Sequence, residues 1–232
     1  MSKKNIKYSY IPDFKSKYLE INSQFSRHQL DENGKEILLG PSNQQMMMEW
    51  EKPYMEACIQ KLNPYGDVLE IGFGLGYSAS EIQKYNVNSH TIIEVDPIVC
   101  EKALEWAEQY DTNIHIINGE WPYLFDRTNK YDCFFFDPFL LNKPKVLEET
   151  DENVFYIFDA FKNLSKKRSR YSYYSVGYDK HHHNQHIKNE LSKLNVEYKA
   201  EFDVFSSCAV PKNCSYINDK TIYVPYIEII KP

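Results

Sequence analysis

Three carboxylates stand where this chain could do chemistry. Glu70 lies directly ahead of Gly72, Gly74 and Gly76 in VLEIGFGLGY (68–77), Glu94 ends the next apolar run, and Asp137 closes FFFDPF. An apolar run that ends in Gly-x-Gly-x-Gly is a strand entering a tight turn whose backbone lies close to a ligand. The dinucleotide fingerprint needs its third glycine one residue later, and no Gly-Lys-Ser/Thr follows, so neither a pyrophosphate site nor a P-loop is spelled out. Glu70 would repel a pyrophosphate and attract an ammonium group. S-adenosylmethionine carries an ammonium and no phosphate, and is the expected cofactor.

Glu94 lies at the spacing from the glycine turn at which a carboxylate reaches ribose hydroxyls. Asp96 could do the same, and one of the two is expected to be a solvated turn residue. After the third strand NGEWP offers Gly119 and Glu120 to an adenine edge and Trp121 to its face, although an aromatic there serves equally as core. Asp137, held before Pro138 at a strand end, faces the crevice where a methyl acceptor approaches, or else caps a turn. KHHHNQH (180–186) is read as a solvated loop, because consecutive histidines cannot all face one ion.

The elements that must position these residues alternate. Strand-like runs fall at Val68–Ile71, His90–Val95, Ile114–Asn118, Asp132–Phe136 and Tyr171–Val176, with helical stretches at Ser78–Tyr85, Ile98–Gln109 and Glu152–Leu164 between them. This βαβ rhythm implies a parallel sheet covered on both faces. A helix at Asn184–Leu194 and two alternating runs, Glu197–Ser206 and Thr221–Ile230, predict an antiparallel pair closing one edge. From Gln44 to Leu62 apolar residues recur at helical spacing, and Pro53 must open that helix or kink it. Glu51 therefore lies at a helix start or a bend. Residues 1–43 lack a sustained period and are expected to form an irregular arm, with one short helix at most, over the active site of a domain spanning 44–232.

The 232 residues suit one sizeable domain. Thirty-three acids against 27 bases leave a net charge of −6, which disfavours nucleic acid partners. Lys166, Lys167, Arg168 and Arg170 are read as a solvated face. Five cysteines without a Cys-x-x-Cys pair suggest reduced thiols. No apolar run reaches membrane-spanning length, so the expectation is a cytoplasmic protein without membrane or metal, its state as monomer or homodimer left open.

MEWEKPYM (48–55), VLEIGFG (68–74), IIE (92–94), NGEW (118–121) and VPKNCSYI (210–217) together resemble the guanidinoacetate N-methyltransferase family. The resemblance implies a Rossmann-like class I methyltransferase with a seven-stranded, mostly parallel α/β sheet and an antiparallel C-terminal hairpin. It also implies S-adenosylmethionine as donor and a small guanidino compound as acceptor. Carried across, Glu51 matches the substrate-binding acid, Asp137 the catalytic acid, Glu94 the ribose-binding acid, Glu120 with Trp121 the adenine contact, and Met55 a methionine near the cofactor. Gly72 and Gly74 belong to the cofactor turn. Two departures concern the acceptor. The family's Asp-Thr-Tyr-Pro is here Asp137-Pro138-Phe139-Leu140, and the turn after the fifth strand is replaced by VGYDKHHHNQ. Alternatives are an amine or amide acceptor, since DPF is one proline short of an Asp-Pro-Pro-Tyr/Phe signature, or an inactive fold serving as a binding protein.

Overall fold

A computed structural model of the chain describes residues 6–10, 26–121, 130–138, 162–176, 180–206, 209–217 and 222–232. In chain order the strands β1 (Ile6–Tyr10), β2 (Arg27–Leu30), β3 (Glu36–Leu39) and β4 (Gln45–Met48) precede a 3-10 turn at Glu49–Glu51. Then follow α1 (Lys52–Leu62), β5 (Gly66–Ile71), α2 (Tyr77–Ile82), β6 (Val87–Glu94), α3 (Pro97–Ala107), β7 (Asn113–Asn118) and β8 (Tyr131–Phe136). The chain ends with β9 (Ser165–Tyr173), β10 (Ser175–Val176), α4 (Lys180–Lys193), β11 (Glu197–Phe205) and β12 (Ile222–Ile230).

Strands β7, β6, β5, β8 and β9 lie side by side and parallel. β12 pairs antiparallel with β9 and β11. This is the expected mostly parallel sheet with an antiparallel C-terminal pair. The order reverses at β5, and there the carboxyl ends of β5 and β8 open a crevice. Two further strands bring the sheet to nine: β10 continues β9, and β1 adds in parallel to the outer edge of β7. Cys133, Phe134, Phe135 and Phe136 are all buried, as strands covered on both faces require.

The N-terminal region is more regular than an irregular arm. β2, β3 and β4 form a separate three-stranded antiparallel sheet, so the helical spacing read from Gln44 holds only from Lys52 onward. Pro53 opens α1 at its first turn, and Tyr54, Met55, Cys58, Ile59 and Leu62 form its buried face. The β3–β4 hairpin straddles residue 43, so that boundary falls inside one supersecondary unit. The Glu152–Leu164 helix lies largely outside the described residues. The KHHHNQH stretch belongs to the first turns of α4 rather than to a loop, and its four histidine side chains lie outside the described residues.

The basic bunch on β9 is exposed at Lys167 and Arg168, as expected of a solvated face, but three of its members are paired with acids. Lys166 lies 2.6 Å from both Asp67 and Asp132 at the amino ends of β5 and β8, and Arg168 forks onto Glu228 with two 3.0 Å bonds. Between β10 and β12 a side chain enters the ladder. The Ser175 amide donates to the Tyr54 hydroxyl at 2.8 Å, and that hydroxyl donates to the Tyr223 carbonyl at 2.7 Å. Nearby, Pro225 of β12 has no N–H to offer its ladder, and its carbonyl accepts from the Ser172 hydroxyl instead. Among the described residues no helix is long and apolar enough to cross a membrane.

Candidate functional site

The turn after β5 requires its glycines. Gly72 has φ +86° and Gly74 φ +54°. A Cβ on Gly72 would lie 2.3 Å from the Asp137 carbonyl oxygen, and one on Gly74 2.6 Å from Met47 Sδ. The turn is thus pressed between the end of β8 and the β3–β4 hairpin. Backbone bonds lace the neighbouring strand ends: Gly72 N to Ile93 O, Asp137 N to Ile71 O and Gly119 N to Glu94 O, each 2.9 Å.

Glu94 is buried, and its two oxygens accept the amides of Phe73 and Asp96 at 2.8 and 2.9 Å. Burial raises its pKa from the ordinary value. Asp96 is not a solvated turn residue. It caps α3 through the Ile98 amide, takes the Ser26 amide at 2.9 Å and is wholly buried. Glu70, expected to attract an ammonium group, is enclosed in this structure. It is fully buried, accepts from the Ser78 hydroxyl, and lies 3.0 Å from His90 Nε2, close enough for an ion pair but off the line of a hydrogen bond. His90 Nδ1 meets Gln83 at 2.9 Å. Glu70 therefore sits beneath the glycine turn, tying it to α2 and β6, with Oε2 accepting no hydrogen bond among the described residues.

Glu51 and Asp137, separated in sequence, lie near enough for the charge of the first to act on the second. Burial raises the Asp137 carboxyl well above the carboxylate range, and the charges of Glu51, Glu70 and Glu94 add to the effect. Burial likewise raises Glu51 to about 7, opposed by hydrogen bonds from the Tyr216 hydroxyl and the Met48 amide. Among the described residues no cationic side chain offsets this pair. The arrangement is one that a positively charged ligand completes.

Of the other expected contacts, Met55 is wholly buried in the core and Trp121 packs edge-on against Phe136 at 5.2 Å. Gly119 and Glu120 follow β7 at the same end of the sheet. The sequence reading passed over Tyr174 and Tyr216, whose phenols lie beside Glu51, and over His90 and Ser78 beneath the turn. Only Tyr216 fell inside a quoted motif, and nothing in its spacing linked it to Glu51. Phe139 and Leu140, and the Gly177–Asp179 part of the altered turn, lie outside the described residues.

The anionic strand ends beside the glycine turn suit a ligand that carries positive charge. Comparison with known proteins agrees. The sequence profile described as guanidinoacetate N-methyltransferase matches residues 12–229. Protein arginine N-methyltransferase 2 of Yarrowia lipolytica is 26% identical over 178 residues, which cover 70% of this chain and 36% of that relative. The Candida glabrata protein of the same name is 31% identical over 116 residues, or 46% of this chain and 28% of the relative. The chain thus spans well under half the length of these curated relatives. Among solved structures, M. jannaschii TYW2 in complex with AdoMet superimposes with a TM-score of 0.56 at 13% identity, covering 90% of this chain and 88% of that one. Spermidine synthase from Thermotoga maritima gives 0.54 at 17% identity, covering 91% and 73%. At such identities the likeness concerns the fold.

Proposed function

The chain belongs to the guanidinoacetate N-methyltransferase family, and from that premise we propose that it is an S-adenosylmethionine-dependent N-methyltransferase whose acceptor is a guanidino group held between Glu51 and Asp137. The observation that carries the reading is the pair itself: burial raises both carboxyls, the charge of Glu51 raises Asp137 further, and no cation opposes them among the described residues. A guanidinium is planar, positively charged and rich in N–H donors, and so matches two carboxylates better than a primary ammonium does.

The cofactor supplies a methyl group on a positively charged sulfur. A guanidinium holds its proton with a pKa above about 12, so its nitrogen lone pair is unavailable at neutral pH. Glu51 orients the group, and Asp137 accepts a proton as the nitrogen attacks. As the nitrogen takes the methyl group, with the sulfur keeping the bonding pair, the displaced proton would end on Asp137. Gly72, Gly74, Glu94, Gly119, Glu120 and Trp121 are proposed to line the cofactor's side of the crevice, Met55 to support it from the core, and Glu70 to hold the turn from below. The segment before α1 is proposed to cover the site, a reading supported by Met47 on the glycine turn and by the Tyr77–Glu36 bond of 2.8 Å.

The names of the relatives favour one extension, an arginine side chain as acceptor. The test is incubation with the donor and a mixed panel of guanidinoacetate, other guanidino acids, arginine, arginine peptides, lysine, glycine and ethanolamine. Products are followed by mass spectrometry for the gain of one methyl group. Guanidines should outcompete the amines; preferential methylation of an amine, an amide or adenine would overturn the proposal.

A further inference from the structure

The stretch VPKNCSYI takes no part in the reaction just described, yet it reaches the centre of the site. Gln45 of β4 fastens it: its Nε2 donates to the Asn213 carbonyl at 2.8 Å, and its Oε1 accepts the Ser215 amide at 2.6 Å and the Ser215 hydroxyl at 2.9 Å. The Asn213 side chain donates to Asp31 at 2.9 Å. Cys214 and Ile217 are buried with Ile37 and Met48 in a small cluster of their own, against which Trp50, Tyr174 and Tyr216 pack. From this anchored loop the Tyr216 hydroxyl donates to Oε1 of Glu51. The same oxygen accepts the Met48 amide at 2.9 Å, so Oε1 is committed to the protein.

We infer that Tyr216 is a positioning residue for the acceptor site, pinning Oε1 of Glu51 so that Oε2 is the oxygen presented to the guanidino group. The inference takes its ligand from the function proposed above and its geometry from the loop. The terminal torsion of a free carboxylate is broad, so a second donor on one oxygen fixes the direction of the other. The titratable groups facing Glu51 are Tyr216 from the loop, Tyr174 after β9, Asp137 after β8 and Tyr77 from α2. All of these are acids. Among the described side chains, the Tyr216 hydrogen bond is the largest influence favouring the ionised form of Glu51.

The test is Tyr216→Phe, which keeps the ring and removes the donor. In protein with isotope-labelled Glu carboxylates, with the Glu51 resonance assigned by Glu51→Gln, the wild-type group should titrate near about 7. In Tyr216→Phe it should titrate about one unit higher. S-adenosylhomocysteine affinity, measured by calorimetry, should be unchanged. The apparent affinity for the methylated guanidine should fall about tenfold near pH 6 and little near pH 9, a pH dependence that lost packing alone would not produce. If Tyr216→Phe loses cofactor binding, Gln45→Ala, which frees the loop without touching Glu51, should shift the titration in the same direction by less. An unchanged Glu51 titration in the variant that retains cofactor binding overturns the inference, whichever acceptor is used. If the wild type methylates no guanidine, the proposed function falls while the titration still decides the role of Tyr216.

Discussion

Asp137→Asn keeps the shape of the side chain and removes its capacity to take a proton. Methyl transfer should fall by roughly 10²–10⁴ while S-adenosylhomocysteine binding survives, a split that rate and calorimetric measurements on one preparation would show. Unchanged turnover would clear Asp137 of a catalytic role. Glu51, raised by burial to about 7, predicts the pH dependence of acceptor binding. A guanidinium binds the ionised carboxylate, so affinity should rise about tenfold per pH unit below about 7 and level off above it. The stability of the ligand-free protein should move the other way. Between its ordinary value of 4.5 and about 7 the folded state holds a proton that the unfolded chain has released, so stability is full below that window and falls as pH rises through it. Thermal melts of wild type against Glu51→Gln should diverge across that window and run parallel above it.

The turn after β5 and the end of β8 cannot vary independently, because a Cβ on Gly72 would meet the carbonyl oxygen of Asp137 at 2.3 Å. Gly72→Ala should therefore weaken cofactor binding and methyl transfer together, through a strained φ and a displaced Asp137, and should lower stability by about 1–3 kcal/mol. A variant that bound the cofactor normally would refute the close packing of the two turns. At this scale β5 to β8 were legible in the sequence, since strands buried on both faces read as unbroken apolar runs and the glycines mark the first turn. The carboxylates at their ends were legible for the same reason. β1 and the β2–β4 sheet were not, because four- and five-residue strands acquire their conformation from pairing partners that a local period does not reveal. The burial of Glu70 against Ser78 and His90 was not legible in its motif, because the approach of His90 from β6 depends on strand pairing. Tyr216 was hidden for a similar reason: it meets Glu51 across 165 residues of chain.

The whole molecule places its two carboxylate groupings at opposite ends of one sheet. At the amino ends of β5 and β8, Asp67 and Asp132 are bridged by Lys166; at the carboxyl ends, Glu51, Glu94 and Asp137 face no lysine or arginine bridge among the described residues, and Glu70 faces only His90. Lys166→Met should accordingly lower the thermal midpoint while leaving S-adenosylhomocysteine affinity unchanged, as melts and calorimetry would show; a parallel loss of affinity would mean the two ends are coupled. The Tyr54 hydroxyl between Ser175 and Tyr223 bears on how this sheet moves. A phenol in a ladder works as a clasp, able to release one strand while keeping the other, so β10 can part from β12 without the main sheet coming undone. Removing the clasp with Tyr54→Phe leaves a buried amide and a buried carbonyl without that partner, at a cost of about 1–3 kcal/mol. Deuterium should then enter the Ser175 amide faster than those of β8 and β9, which would mark a seam for local opening beside Glu51 and Asp137.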